Sequence, residues 1–269
     1  MSLHLYAPDE DPGPSFTDLL RRAAPEALAG GSSNTLGEIP HGTTIAALRY
    51  AEGVVMAGDR RATEGVSIAH RGIEKVFPAD HYSVVGIAGA AGPAIEMVRL
   101  FQTQLEHYEK VEGAALSLEG KANQLSQMLR SHLPMAMQGL AVVPLFAGYD
   151  ERRMYGRIFT YDVTGGRYEE RDFSATGSGG RDARTTIKLG FREALSRDEA
   201  VELAVEALYQ AADEDAATGG PDPVRGIYPI IATVDSGGYQ RIGDDEVAER
   251  FGAVLERRAA ANREGGGSR

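Results

Sequence analysis

The spacing of apolar residues switches between two periods along this chain, and the order of the switches limits the fold more than any single motif. Alternating runs come first: TTIAALRY from Thr43, GVVMAGDRRAT from Gly53, SIAHRGIEKVFP from Ser67 and YSVVGIAGA from Tyr82. Period two marks strands. Ala51-Glu52-Gly53 between the first two reads as a hairpin turn. The spacing then becomes three and four over PAIEMVRLFQTQLEHYEKVEG and LEGKANQLSQMLRSHLP, which predicts amphipathic helices over 93–112 and 116–137. AVVPLFAGYD, GRIFTYDVTGG and RYEERDFSATGSG return to strands with glycine turns. RDARTTIKLGFREAL and SRDEAVELAVEALYQAADED predict two more helices, the second capped by Ser196. YPIIATVDSGGYQRI closes the series as a hairpin. Strands and helices are thus segregated in blocks. The pattern predicts an α+β protein, a four-layer α-β-β-α sandwich of two antiparallel sheets between helix layers, and not the strict alternation of a doubly wound sheet.

The first 42 residues differ. PDEDPGP and GGSSNTLGEIPHG have linker composition, and SFTDLLRRAAPEALAG between them reads as a short helix capped by Ser15 and broken at Pro25. The expected organisation is a disposable leader over 1–42 and one domain over 43–269, with a flexible polar tail from about 257. At 269 residues and 42 % apolar, the chain is long enough to bury a core. Its net charge of −11 argues against general nucleic-acid binding and against anchoring on anionic membrane. It has no cysteine, so neither disulfides nor a thiolate zinc site are available. The acidic N-terminus lacks an apolar h-region, and no apolar run reaches membrane-spanning length; both fit a cytoplasmic protein. The six histidines show no ligand spacing, so no metal and no cofactor are expected. GSGG at 177–180 lacks the lysine and spacing of a phosphate loop.

Several short stretches carry chemistry as well as structure. Thr43 follows Gly42 at the head of a strand, and threonine favours strands anyway. The chemical alternative is a processing junction. A threonine hydroxyl needs an adjacent base, and a freed α-amine on the same residue, with an ordinary pKa of about 7.7–8.0, is one. Glycine at 42 leaves the backbone room to bend toward that hydroxyl. Asp59, in a Gly-Asp turn, is placed to fix a cation. Lys75 stands between Ile73 and Phe77 in an apolar alternation, which puts its head on a partly buried face where it needs a carboxylate. The small-residue turn GIAGAAGPAIE either packs tightly or offers backbone N–H groups near Gly89 to an oxyanion. EDAATGG at 214–220 ends a helix. Paired acids such as Glu169-Glu170 read as solvated faces.

In this order, TTIAALRY, GVVMAGDRRAT, IEKVF, VVGIAGAAGPA, ATGSGG and EDAATGG resemble the successive blocks of proteasome β-subunits of the actinobacterial type, which are N-terminal-nucleophile hydrolases. The resemblance covers about residues 43–250. It implies the following expectations. Thr43 is the nucleophile and becomes a new N-terminus when the Gly42–Thr43 bond is cut. Asp59 and Lys75 form the charged pair beside it, and Gly89 donates to the oxyanion. Ser178, Asp215 and Thr218 support the α-amine, although the family usually has Arg-Asp where this chain has Glu214-Asp215, and Ser in place of Thr218. Thr63 and Ala91 align substrate as an added strand. Ile87 floors a specificity pocket with Ala62, Ile73 and Ala94 nearby, so cleavage follows hydrophobic residues. The expected partners are α-subunits, with homo-heptameric β rings stacked as α7β7β7α7, a regulatory ATPase ring and unfolded polypeptide as substrate. The resemblance also leaves room for a related hexameric bacterial peptidase, which is shorter and lacks such a leader. A non-catalytic structural ring subunit is the other alternative; such subunits lose the threonine or the lysine, and this chain has both.

Overall fold

The computed structural model describes residues 42–64 and 67–266; the expected leader helix and the rest of the leader lie outside the described residues. One five-stranded antiparallel sheet has the order β10-β1-β2-β11-β12. Its strands are β1 (Thr44–Tyr50), β2 (Gly53–Gly58), β10 (Phe173–Gly177), β11 (Ile230–Asp235) and β12 (Gly238–Arg241). The other has the order β5-β6-β7-β8-β9, built from β5 (Val76–Asp80), β6 (Ser83–Gly89), β7 (Val142–Asp150), β8 (Tyr155–Tyr161) and β9 (Arg167–Glu170). A two-stranded ribbon pairs β3 (Ala62–Glu64) with β4 (Ser67–His70).

The helices divide between the outer faces. Helices α1 (Ala91–Glu112) and α2 (Leu118–Ala136) cover the second sheet, with Met97, Phe101, Leu105, Leu125 and Leu129 against Val85, Ile87, Phe146 and Phe159. Helices α3 (Gly180–Gly190), α4 (Arg197–Glu214) and α5 (Asp244–Gly266) cover the first, with Ile187, Val201, Leu208 and Phe251 against Ala46, Leu48, Val55 and Ile231. A third core lies between the sheets, where Ile45, Ala47, Val54 and Met56 meet Val84, Leu145, Ala147 and Ile158. Three cores between four layers are the expected sandwich. Each fully buried Phe or Leu contributes about 1.5–3 kcal/mol, against about 0–1 for an exposed ion pair, so apolar layers rather than surface charges hold the stack.

Ser196 caps α4 as expected, in a reciprocal arrangement with Glu199. Other details differ from the sequence reading. GVVMAGDRRAT is not one strand: it breaks after Gly58 and resumes at Ala62. SIAHRGIEKVFP likewise breaks between His70 and Val76, so Lys75 precedes a strand and is not inside one. The first break leaves the backbone N–H and C=O of Arg61 free to bond the side chains of Asp59 and Lys75 instead of a neighbouring strand. The third predicted helix stops at Gly190, short of Phe191–Leu195. The last helix runs past position 257 to Gly266, because Glu256-Arg257-Arg258-Ala259-Ala260 are good helix formers and Arg257 pairs with Glu202 of α4 at 2.6 Å. Among the described residues no helix is long and apolar enough to cross a membrane.

Candidate active site

The β1–β2 hairpin sets the first part of the site. Its register places Ile45 opposite Gly58, so the next residue, Asp59, comes level with Thr44. Backbone and side chain then lock together. Asp59 N donates to Thr44 O at 3.1 Å, and Thr44 N donates to Asp59 Oδ1 at 2.8 Å. The second sheet delivers Lys75 from just ahead of β5, where Ile87 N donates to its carbonyl at 2.9 Å. The two sheets thus meet at one end of the sandwich with an ammonium facing a carboxylate.

Asp59 is fully buried and accepts four hydrogen bonds. Thr44 N and Lys75 Nζ (2.6 Å) reach Oδ1; Arg61 N (2.9 Å) and Gly219 N (2.8 Å) reach Oδ2. A buried carboxylate needs its oxygens satisfied in this way. Lys75, 3 % exposed, spends its three protons on Asp59, on Arg61 O at 2.5 Å and on Gly42 O at 3.1 Å. Burial pulls its pKa below the usual 10.5, a pull that the charge and hydrogen bond of Asp59 oppose without cancelling. The expected charged pair is therefore assembled, and its burial has a different origin from the strand alternation that suggested it.

Thr43 lies immediately before β1 and is 5 % exposed. Its hydroxyl donates to Gly42 O at 2.7 Å, the same oxygen that Lys75 holds. Ser178, just past β10, flanks it: Ser178 N donates to Thr43 O at 2.8 Å, and Ser178 Oγ stands 3.4 Å from Thr43 N and 3.2 Å from Thr43 O. Asp215 closes α4. Its carboxylate accepts from Thr218 Oγ1 at 2.5 Å and from Ala217 N at 3.1 Å. Burial raises the Asp215 pKa, but hydrogen bonds from Ser178, Thr218 and Ala217 outweigh it and the net direction is down. The Thr218 hydroxyl is in use on both sides, donating to Asp215 and meeting Thr44 Oγ1 at 2.6 Å.

Ala62, Ile73, Ile87, Gly89, Ala91 and Ala94 line one cleft with Gly42, Thr43 and Lys75. Ile87 is 5 % exposed. Gly89 ends β6 at φ +105°, and a Cβ there would sit 2.2 Å from Ala141 O, so only glycine lets the strand turn at this rim. Thr63 is in β3 beside Ala62 and does not line the cleft.

Sequence reasoning missed several contributors. Thr44 is fully buried; its hydroxyl accepts from Gly179 N at 3.0 Å and meets Thr218 Oγ1 at 2.6 Å. The signal was present: Thr44 shares a face with Ala46 and Leu48, so a polar group there had to find partners inside. Glu74 and Ile95 also line the cleft. Gly219 contributes only a backbone N–H, which no side-chain motif announces.

A sequence model described as "Proteasome subunit" matches residues 39–224. The chain is 62 % identical over 264 residues to a protein of Acidimicrobium ferrooxidans named Proteasome subunit beta, covering 97 % of each. Proteins of the same name from Streptomyces griseus and Acidothermus cellulolyticus are 58 % and 56 % identical, over 91 % and 96 % of this chain and 88 % and 90 % of theirs.

Proposed function

Since this chain belongs to the proteasome subunit family, and its function is that of a catalytic β subunit of the 20S core, a threonine endopeptidase, we propose that Thr43 is its nucleophile and that cutting the Gly42–Thr43 bond arms it. The observation that carries this reading is the convergence of the Thr43 hydroxyl and the Lys75 ammonium on Gly42 O. Lys75 polarises that carbonyl. The Thr43 oxygen adds to its carbon, an ester forms between Gly42 and Thr43 Oγ1, and the hydroxyl proton goes to the departing nitrogen. Water then hydrolyses the ester, leaving the leader with a Gly42 carboxylate and Thr43 with a free amine and a free hydroxyl.

Before that cut the Thr43 nitrogen is an amide and cannot accept a proton; afterwards it is a base on the nucleophile's own residue. Ser178, Asp215 and Thr218 stand beside it and orient it. In peptide turnover Lys75 favours the neutral amine and the developing alkoxide, and the Gly89 N–H receives the oxyanion. Thr63 and Ala91 align the substrate backbone beside the cleft. The apolar lining of Ala62, Ile73, Ile87 and Ala94 favours cleavage after hydrophobic residues.

The subunit associates with α subunits in the core. Our reading extends this to homo-heptameric β rings stacked as α7β7β7α7, fed with unfolded polypeptide by a regulatory ATPase ring in the cytoplasm. The test is co-expression with an α subunit, followed by intact mass and N-terminal sequencing. We expect a new N-terminus at Thr43 and peptidase activity. Thr43→Ala should remain uncut and inactive; an active Thr43→Ala assembly would end the proposal. Lys75→Ala should give a full-length, inert subunit.

A further inference from the structure

Beside the charged pair lies a second, solvent-open concavity, lined by Arg60, Arg61 and Arg71 with Gly219, Gly220 and Tyr228 among the remaining walls. Its charge is out of balance. Arg61 donates to the Ala216 carbonyl at 3.0 Å and meets no carboxylate among the described residues. Arg71 has no ion pair among them either, and Arg60 reaches one carboxylate, Asp244, only at 3.7 Å. Arg60 Nε is buried and donates to nothing among the described residues. The acid in the wall, Asp222, is already neutralised by Arg225 at 2.6 Å, and the nearby Asp59 by Lys75. Three arginines therefore line one concave space with little opposing charge, in a chain that carries 39 acidic residues against 28 basic ones.

Guanidinium forks match the oxygen geometry of a tetrahedral or planar oxyanion, and a buried, unused donor marks the place for one. The geometry points to this cavity as a binding site for a small phosphate-class oxyanion. Its occupancy bears on the known site through shared backbone. Arg61 N and Gly219 N both hold Asp59 Oδ2, and Arg61 O holds Lys75. An anion that bridges the side chains of residues 60 and 61 to the 219–220 wall ties together the two loops that grip the charged pair. Binding here therefore stiffens the Asp59–Lys75 seat without touching Thr43 or the substrate cleft.

The test titrates inorganic phosphate into the full-length chain by calorimetry, at fixed ionic strength maintained with chloride. Saturable binding is expected. Arg60→Gln should weaken it at least tenfold, and Arg71→Gln, an exposed substitution that leaves folding alone, at least threefold. Arg171→Gln, far from the cavity, should leave it unchanged. Phosphate should also slow amide hydrogen exchange at residues 59–63 and 217–222. No saturable heat, or equal affinity in all four proteins, overturns the site. So does an Arg60→Gln chain that binds phosphate normally and differs only in its assembly, because the cavity then serves contact between chains.

Discussion

Lys75 and Arg157 are each 3 % exposed, yet their surroundings differ in kind. Arg157, on β8, meets three carboxylates: Glu169 at 2.6 Å, Glu119 at 2.7 Å and Asp150 at 2.9 Å. It lies over the Phe159 ring at 4.9 Å. Hydrogen bonding to Glu169 leads a set of contacts that outweighs burial, so its pKa rises. Lys75 has one carboxylate and two carbonyls, and there burial wins. Arg157 ties β7, β9 and α2 together and has nothing left to offer. Lys75 is less compensated, and one of its three protons points at Gly42 O, the carbonyl next to the proposed nucleophile. The contrast teaches that burial does not mark a working cation; an acceptor outside the ion-pair set does.

The largest effect that would break this comparison is in Lys75→Met. Peptidase activity should fall by at least about 10³-fold, and Asp59 loses the one cation it pairs with among the described residues, so stability should drop by about 3 kcal/mol; chemical denaturation and peptide turnover read the two separately. Arg157→Met should lose about 2 kcal/mol, because two of its carboxylates remain partly solvated, while turnover per folded molecule stays at the parent level. Loss of turnover in Arg157→Met would erase the distinction.

The pH response sharpens it. A lowered folded-state pKa means that folded Lys75 binds its proton more weakly than the unfolded chain does. Between that lowered pKa and 10.5, stability attributable to Lys75 should rise with pH. Activity should fall over the same interval, as the ammonium is lost. A pH–rate profile beside denaturation midpoints would show the two curves moving in opposite directions. Asp215, lowered by its hydrogen bonds, behaves differently: its stabilisation is present above the ordinary carboxylate value of 3.8 and is lost as pH falls through the folded value.

Smaller effects follow. Thr44→Val leaves Gly179 N without its acceptor and should cost about 1–2 kcal/mol, with a few-fold loss of turnover. At the bottom of the scale, Glu106→Gln breaks the exposed pair with Lys110, and its melting temperature should match the parent's.

The helices, the block order and the layer architecture could be read from periodicity, because each helix buries one face. The strands of the first sheet were harder. β1 is buried on both faces, Ile45 and Ala47 toward the other sheet and Ala46 and Leu48 toward the helices, so alternation does not say which way is in. The pairing of β10 with β1 and of β11 with β2 joins segments far apart in the chain, and no local pattern carries that information. At the site, side-chain chemistry made Asp59, Lys75 and Thr43 candidates, and the resemblance of the ordered blocks to a known family gave them roles. The backbone donors of Arg61, Gly179 and Gly219 had no such signature, and Thr44 was hidden by the ordinary preference of threonine for strands.

The carboxylate of Asp59 has a consequence for the order in which the chain is made. Its four donors come from residues 44, 61, 75 and 219. A chain that leaves the ribosome without residue 219 carries the threonine, the aspartate and the lysine, yet Asp59 Oδ2 keeps only the Arg61 N–H of its two donors and the loop that presses against it does not exist. The seat of the charged pair is therefore complete only once the chain has been made through residue 219.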